Sequence, residues 1–149
     1  MEALKKYKLA AENGDASAQN QLGLCYKNGE GVIRDYKEAI KWFKLAAKQN
    51  NPESQYYLGW CLYLGFGTTQ NVSEALKWFS ISAENGYAQA QFDLGFYYEI
   101  GEGVKKDIAI AYKWFLIACQ NSSGSLFEYA SKGRDRVKPM LSKSQIEEI

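Results

Sequence analysis

The side chains that carry most hydrolytic and metal-dependent chemistry are missing from this sequence. It contains no histidine, and this removes histidine general bases, Ser-His-Asp and Cys-His nucleophilic pairs, and H-E-x-x-H metal sites together. The motifs S-x-x-K, S-D-N and K-T-G, in which a serine is activated as a nucleophile, do not occur either. The paired carboxylates Glu147 and Glu148 are interpreted as solvated charge. We therefore predict no catalytic residue, no metal site and no cofactor, and a protein that is not an enzyme.

The remaining reactive side chains are three cysteines, Cys25, Cys61 and Cys119. They form no C-x-x-C pair and their number is odd, which is typical of free thiols packed as small apolar groups in a reducing compartment. The first ten residues alternate lysine with apolar residues and lack the apolar segment of a secretory signal. No uncharged apolar run reaches the roughly 18 residues of a spanning helix. We expect a cytoplasmic chain without membrane insertion, unless it is a fragment of a secreted parent.

Pairs of glycines could indicate a phosphate-binding loop. They occur three times, at Gly29/Gly31, Gly65/Gly67 and Gly101/Gly103. Each pair lacks the third glycine of a dinucleotide-binding motif and lies between two stretches of helical periodicity. Glycine adopts the left-handed conformation that ends many helices at little cost. We interpret the pairs as helix-ending turns.

These turns belong to a repeat of 36 residues. Gln19, Gln55 and Gln91 are separated by this period, and so are two aromatic sets, Trp42/Trp78/Trp114 and Phe43/Phe79/Phe115. Self-similarity at this spacing is typical of a solenoid. Within each unit, small and apolar residues recur at helical spacing before and after the glycine turn. Each unit is therefore predicted to be a pair of helices joined by a turn.

Residues that favour helix starts precede several of these helices. Asp35 is predicted to cap a second helix and to form a capping box with Glu38, and Asn71 with Glu74 repeats the pattern. Two further caps without the box are predicted at Asn51 and Asp107.

The repeats are flanked by incomplete units. Residues 2–14 match residues 74–86, the second helix of a repeat, and the pattern decays after Asn121. We predict one solenoid domain over residues 1–149, divided into a half-repeat helix (1–14), three repeats (15–50, 51–86 and 87–122) and a degenerate C-terminal cap (123–149). Whether the half-repeat is a natural cap or the start of a longer array is left open.

The repeat resembles the Sel1-like repeat, a longer relative of the tetratricopeptide repeat. The resemblance rests on Ala18-Gln19, Leu22-Gly23, Tyr26, Gly29, Gly31-Val32, Asp35, Ala39, Trp42 and Ala46. The middle copy departs most, with Leu62 in place of the tyrosine and Thr68 in place of the valine. The resemblance implies an all-α fold, a right-handed α/α solenoid of helix-turn-helix repeats, and an adaptor role in protein complexes.

Cysteine-rich members of this family have been linked to β-lactam binding and carry disulfides between helices. Here Cys25 and Cys61 hold the same repeat position on adjacent first helices. Neighbouring helices lie about 8–10 Å apart, whereas a disulfide tolerates about 7 Å between Cα atoms. Both are interpreted as packing residues. A cysteine-poor relative of the β-lactam-binding proteins remains an alternative.

One stripe along the first helix of each repeat is the candidate binding surface. On a helical wheel, the positions of Asn20, Leu24 and Lys27 lie opposite the core face marked by Ala18 and Leu22. By resemblance to tetratricopeptide folds, this side lines a concave groove. The predicted groove comprises Asn20, Leu24, Lys27, Tyr56, Trp60, Tyr63, Phe92, Phe96 and Glu99. Its aromatic content is typical of a protein-binding surface.

The tryptophans are predicted to fall into two classes. The framework set at positions 42, 78 and 114 is expected to be buried between helices, and Trp60 is expected to be largely exposed. Three uses of the groove remain open: binding of a protein or peptide, covering by the C-terminal segment of this chain, and binding of a small ligand such as a glycan. A peptide would also use Lys27 and Glu99, whereas a glycan would not depend on them.

The charge balance disfavours nucleic acid as a partner. Eighteen basic and seventeen acidic residues leave a formal charge of +1, too little for non-specific binding to a phosphate backbone. The lysines of the second helices are interpreted as a solvated convex face; they are Lys37, Lys41, Lys44, Lys48, Lys77 and Lys113. We predict a non-enzymatic scaffold that binds a protein or peptide in the aromatic groove.

Overall fold

Every regular element in residues 2–149, the part of the chain that this computed structural model describes, is a helix. The elements are α1 (Glu2–Glu12), α2 (Ala16–Asn28), α3 (Tyr36–Lys48), α4 (Pro52–Leu64), α5 (Val72–Glu84), α6 (Ala88–Ile100), α7 (Ile108–Gln120), α8 (Gly124–Val137), a 3-10 turn (Lys138–Met140) and α9 (Lys143–Glu147). The helices α2 to α7 all have 13 residues. The prediction of an all-α fold built from helix pairs is confirmed.

The chain divides into two compact units, Met1–Trp78 and Phe79–Ile149, which we call unit 1 and unit 2. In unit 1, α2 packs against α1 and α3, and α3 packs against α4. In unit 2, α6 packs against α7, and α8 packs against both of them. The predicted C-terminal cap therefore contains a full helix, α8, that joins the packing of the last repeat.

Glycines end the first helix of every pair, as predicted. Gly29, Gly65 and Gly101 follow α2, α4 and α6 with φ values of 71°, 73° and 74°. A side chain in this left-handed region is strained, which explains the glycine. Each of these amides donates to a carbonyl oxygen of the helix that it ends.

The predicted N-caps are confirmed. The side-chain oxygens of Asp35, Asn51, Asn71 and Asp107 each accept the backbone N–H three residues later, at 2.9–3.1 Å. These bonds satisfy donors that the first turn of a helix otherwise leaves unpaired.

The second half of the predicted capping box is wrong. In a capping box the Glu38 side chain would accept the backbone N–H of Asp35, but that N–H donates to the Tyr26 carbonyl at 2.9 Å. The same bond joins Asn71 to the Leu62 carbonyl at 2.8 Å. Because the cap residue is tied to the last turn of the preceding helix, this hydrogen bond fixes how the two helices of a pair meet.

A phenylalanine is the most enclosed aromatic side chain of each repeat. Phe43, Phe79 and Phe115 have 0–1% of their surface exposed. The tryptophans that precede them are only half-buried: Trp42, Trp78 and Trp114. The expectation that Trp78 is fully buried between helices is therefore wrong, since its side chain is only half-buried. Phe43 and Phe115 each lie against a glycine of the neighbouring helix, Gly23 and Gly95. The tryptophan lies one residue, or about 100°, further around the helix.

The recurring glutamines are buried hydrogen-bonding residues. Each donates from Nε2 to a carbonyl near the end of the preceding second helix, in the pairs Gln19 to Ala11 (3.1 Å), Gln55 to Ala47 (3.2 Å) and Gln91 to Ala83 (3.0 Å). A carbonyl there has no partner within its own helix. The period of the glutamines thus reflects the joining of one repeat to the next.

Candidate functional site

The predicted stripe in unit 1 is exposed along only part of its length. Asn20 and Tyr56 have 2% and 9% of their surface exposed, so the expectation that they face solvent is wrong. The other members in this unit are half-buried: Leu24, Lys27, Trp60 and Tyr63. Trp60 is thus less exposed than expected. These four residues are the part of the stripe that a partner could reach, and we call them the unit 1 surface.

Asn20 is buried because the first helices of successive repeats touch each other. Its Oδ1 accepts a hydrogen bond of 2.7 Å from the Ser54 hydroxyl at the start of α4. A helical wheel assumes one core face, but α2 is also contacted on this side. Asn20 therefore joins repeats, and its buried oxygen is satisfied as buried polar groups must be.

Trp60 belongs to an aromatic cluster. The ring centroid of Phe66 lies 5.2 Å from that of Trp60 with the rings edge to face, and Tyr36 stacks on Phe66 at 4.8 Å. Tyr36 also lies 6.4 Å from Trp60. These separations are those of favourable aromatic pairs. The cluster holds the Trp60 indole in one orientation while leaving part of it open to solvent.

Lys27 lies over the same aromatic surface. Its Nζ is 4.8 Å from the ring centroid of Trp60 and 5.1 Å from that of Tyr57, within the range of a cation–π interaction. It also donates to the Asn28 Oδ1 at 3.1 Å. A positive charge is thereby held beside apolar rings at a half-exposed position.

Sequence reasoning missed Tyr36, Tyr57 and Phe66. A signal for Phe66 exists, because the residue between the paired glycines is glutamate in the other two repeats, Glu30 and Glu102. An aromatic residue at a turn position that is acidic elsewhere indicates a local contact rather than a framework role.

In unit 2 the stripe residues are engaged by the C-terminal helix α8. Glu99 accepts two hydrogen bonds from the Arg136 guanidinium, from Nε at 2.5 Å and from Nη2 at 2.7 Å. Phe92 lies 6.3 Å from the Tyr129 ring and 5.9 Å from the Phe115 ring. Only Phe96 of this set is exposed, at 43%. The chain's own C-terminal segment therefore covers Phe92 and Glu99, as one of the three alternatives predicted.

Burial raises the pKa of two of the three thiols. Cys61 is fully buried, and burial raises the pKa of its thiol to about 12, although the positive charge of Lys27 acts in the opposite direction. Burial, helped by Glu30, also raises the pKa of Cys25. All three cysteines are free, and Cys119 is the least buried. The interpretation of Cys25 and Cys61 as packing residues is confirmed.

Residues 2–149 contain neither a cluster of metal ligands nor a helix that could span a membrane. The side chains there form no group of three or more potential metal ligands. None of the helices described has the length and apolarity that crossing a bilayer requires.

Comparison with known proteins adds the family. The family model described as "Sel1 repeat" matches three times, at residues 16–51, 52–87 and 88–123. Each match begins one residue after the predicted repeat start. A search of curated proteins gave no match.

Solved structures agree with this result. The chain is similar to a Sel1 repeat protein from Oxalobacter formigenes, with 36% identity, a TM-score of 0.75, and 87% of this chain and 53% of that chain covered. It is also similar to c5321, a protective antigen of uropathogenic Escherichia coli with an SLR fold, with 26% identity, a TM-score of 0.68, and 97% of this chain and 38% of that one covered.

A third similar structure is cysteine rich protein B of Helicobacter pylori, with 26% identity, a TM-score of 0.56, and coverage of 58% of this chain and 65% of that one. The chain spans about half or less of the length of the first two structures. The three family matches together cover well over half of the sequence, and the chain belongs to the Sel1 repeat family.

Proposed function

We propose that this chain is a non-catalytic interaction module that binds a partner peptide on the unit 1 surface, Leu24, Lys27, Trp60 and Tyr63. Sel1 repeat proteins are commonly protein-interaction scaffolds and are generally not catalytic. The observation that carries the proposal for this chain is the position of the Lys27 ammonium, 4.8 Å from the ring centroid of the half-exposed Trp60.

The chemistry of this surface favours a peptide with a carboxylate next to an apolar side chain. Trp and Tyr are frequent anchors at the centres of protein interfaces. The ammonium of Lys27 can pair with a carboxylate while the rings beside it contact the apolar neighbour. The aromatic cluster that holds Trp60 in place reduces the entropy lost on binding.

The proposal is restricted to unit 1 because Glu99 and Phe92 are engaged by α8. Glu99 therefore no longer supports the second charged contact that the sequence suggested. Lys27 becomes the residue that distinguishes a peptide from a glycan, since a sugar stacked on Trp60 would not depend on a positive charge.

A peptide library selected on the immobilised protein tests this function. We expect enriched sequences to pair an acidic residue with an apolar one. Trp60→Ala should weaken the binding of a selected peptide by about 2 kcal/mol, or roughly 30-fold. Lys27→Met, which keeps the aliphatic stem, should weaken it by about tenfold and reduce its salt dependence. Phe127→Ala is the matched control, because Phe127 is an exposed aromatic residue in α8 of unit 2.

Circular dichroism of each variant separates lost binding from lost folding. The proposal is overturned if the selected peptides bind equally to the Lys27 and Trp60 variants. An oligosaccharide that binds through Trp60 and is insensitive to Lys27→Met would favour the glycan alternative instead.

A further inference from the structure

A second surface in unit 1 is a groove along α3, on the side that the sequence suggests is solvated. The groove is a cavity of about 500 Å³, lined by four lysines, two apolar residues and a turn: Lys37, Lys41, Lys44, Lys48, Ile40, Leu45, Gly67 and Thr68. Ile40 is buried, and Leu45 is 41% exposed. The groove thus combines an apolar strip with positive charges.

The positive charge of this groove is almost uncompensated. No lining residue is acidic. Lys41 lies 3.7 Å from the Glu38 carboxylate, an exposed pair three residues apart on the same helix. Within residues 2–149, Lys37, Lys44 and Lys48 form no ion pair with this chain. Like charges three and four residues apart on a helix repel each other, so an anionic partner would relieve a repulsion that the free chain retains.

One boundary of the groove is formed by a close backbone contact. Gly67, in the turn after α4, has a φ of 72°. A Cβ placed on it would lie 2.6 Å from the carbonyl carbon of Tyr36 and 2.8 Å from the amide nitrogen of Lys37. The absence of a side chain therefore lets the turn lie directly against the start of α3, where Thr68 completes the groove.

The lysine set is specific to the first repeat. Its four positions are occupied by Ser73, Lys77, Ser80 and Glu84 in α5, and by Ala109, Lys113, Leu116 and Gln120 in α7. Residues that the fold requires must recur from repeat to repeat. Among the three full repeats only the lysine at the second position does so, and the half-repeat helix α1 has lysine at the second and third positions, Lys5 and Lys8. Lys37 and Lys48 are consequently not explained by the framework.

The dimensions favour a peptide. From Lys37 to Lys48 the helix rises about 16 Å, the length of about five residues of extended chain. A bilayer surface is a poorer match, because the apolar strip has no exposed aromatic residue to insert. Nucleic acid is disfavoured by the formal charge of only +1 for the whole chain.

We propose that the α3 groove binds an acidic peptide segment of a partner protein, with glutamate or aspartate on the lysines and an apolar side chain against Leu45. This site is separate from the unit 1 surface and does not depend on the function proposed for it. Its charged side chains supply attraction at long range and its apolar strip supplies contact.

The test uses a fluorescent capped pentapeptide with alternating glutamate and leucine, and measures anisotropy with the full chain. The groove variant Lys37→Ser/Lys44→Ser/Lys48→Glu carries the residues of α5 at these positions. The control variant Lys105→Ser/Lys113→Ser/Lys132→Glu has the same net charge. We expect the dissociation constant to rise at least about tenfold in the groove variant and less than about twofold in the control. Because the same peptide could also bind the unit 1 surface, the groove and control variants are compared in a Trp60→Ala background as well as in the wild-type chain. Loss of binding that persists in the Trp60→Ala background belongs to the α3 groove, so failure here is distinguishable from failure of the proposed function.

Further probes fix the chemistry of the occupant. The peptides in which glutamine replaces glutamate, or serine replaces leucine, should each bind more weakly than the parent. Lys37→Gln/Lys44→Gln/Lys48→Gln, which retains good helix formers, should lose binding as the first variant does. Equal loss in the control variant, no binding of the parent peptide, or binding only to vesicles of phosphatidylcholine with phosphatidylserine would each overturn the proposal.

Discussion

Gly23 lies so close to the ring of Phe43 that a Cβ added to the glycine would be 2.5 Å from the phenylalanine Cε1. The same relationship joins Gly95 to Phe115, with the nearest ring atom at 2.7 Å, and Gly133 of α8 approaches the Phe115 ring at the same distance. The glycine–phenylalanine contact therefore sets how closely the two helices of a repeat approach. In unit 2 the contact between Phe115 and Gly133 also brings α8 close to α7.

Replacement of this glycine should destabilise the protein, although alanine is the better helix former. In an exposed helix, Gly→Ala is expected to stabilise by about 0.5–1 kcal/mol. Gly23→Ala should instead lower the free energy of unfolding by about 1–3 kcal/mol, because Phe43 is enclosed and has nowhere to move. Urea denaturation provides the measurement, and Ser17→Ala, at an exposed position of the same helix, is the control. A stabilised Gly23→Ala variant would show that the ring can give way.

The packing of the repeats could be predicted because it is dictated by chemistry that must recur. Left-handed helix ends favour glycine, and the first turn of a helix favours a side-chain acceptor. Gly29 and Asp35 therefore mark the end of α2 and the start of α3 in the sequence itself. The glutamine period was visible in the sequence, but its role in joining repeats is a finding of the structure. These features depend on residues near in sequence or on an exact period.

The candidate site could be predicted only in part, because it depends on contacts between elements. The helical wheel placed Asn20 opposite the core but could not show that Ser54 of the next first helix reaches it. It could not place the Phe66 side chain, which a turn brings to Trp60. The covering of Glu99 was one of three open alternatives, and the pairing with Arg136 is not visible in the repeat pattern.

Trp60→Ala should destabilise the protein more than the substitution of an exposed residue does and less than the substitution of a core phenylalanine does. Its contacts with Phe66 and Tyr36 are lost, but part of the indole already faces solvent. We expect a loss of about 1–3 kcal/mol in the free energy of unfolding. Phe43→Ala is the comparison and should cost about 3–5 kcal/mol. A loss in Trp60→Ala as large as in Phe43→Ala, measured in urea, would identify Trp60 as a core residue and weaken its assignment as an anchor.

The ion pair between Arg136 and Glu99 should contribute to the docking of α8. The Glu99 side chain is only 13% exposed and that of Arg136 is 49% exposed, so removal of the arginine leaves a poorly solvated carboxylate. Arg136→Ala should lower the free energy of unfolding by about 1 kcal/mol and increase amide hydrogen exchange in α8.

Arg134→Ala is the matched control for α8, since Arg134 pairs with its exposed neighbour Asp135 and should have little effect. Equal exchange rates in the two arginine variants would contradict a docking role for the pair with Glu99.

The buried thiol of Cys61 should make stability fall at high pH. Its pKa is about 12 in the folded protein against 9.0 for the free side chain, so the folded state keeps a proton that the unfolded chain loses. The contribution is complete below pH 9 and is lost as pH rises towards 12, at up to about 1.4 kcal/mol per pH unit.

Cys61→Ala should reduce this slope between pH 9 and 10. A thiol reagent such as DTNB applied at neutral pH should modify Cys119 faster than Cys61. An unchanged slope in the Cys61 variant, or equal reaction rates for the two thiols, would contradict the burial of Cys61.

The hydrogen bond between Asn20 and Ser54 should couple the first two repeats energetically. Because both residues are buried, Asn20→Ala leaves the Ser54 hydroxyl without its acceptor, and the free energy of unfolding should fall by about 1–3 kcal/mol. Ser54→Ala should have a similar effect, and the double variant should lose less than the sum of the two. A double-mutant cycle in urea should give a coupling energy of about 0.5–1.5 kcal/mol.

The exposed hydrogen bond from Asn28 to Glu30 provides the control cycle, where solvent replaces the lost partner and the coupling should be near zero. Additive effects of Asn20→Ala and Ser54→Ala would mean that this hydrogen bond does not couple the first two repeats.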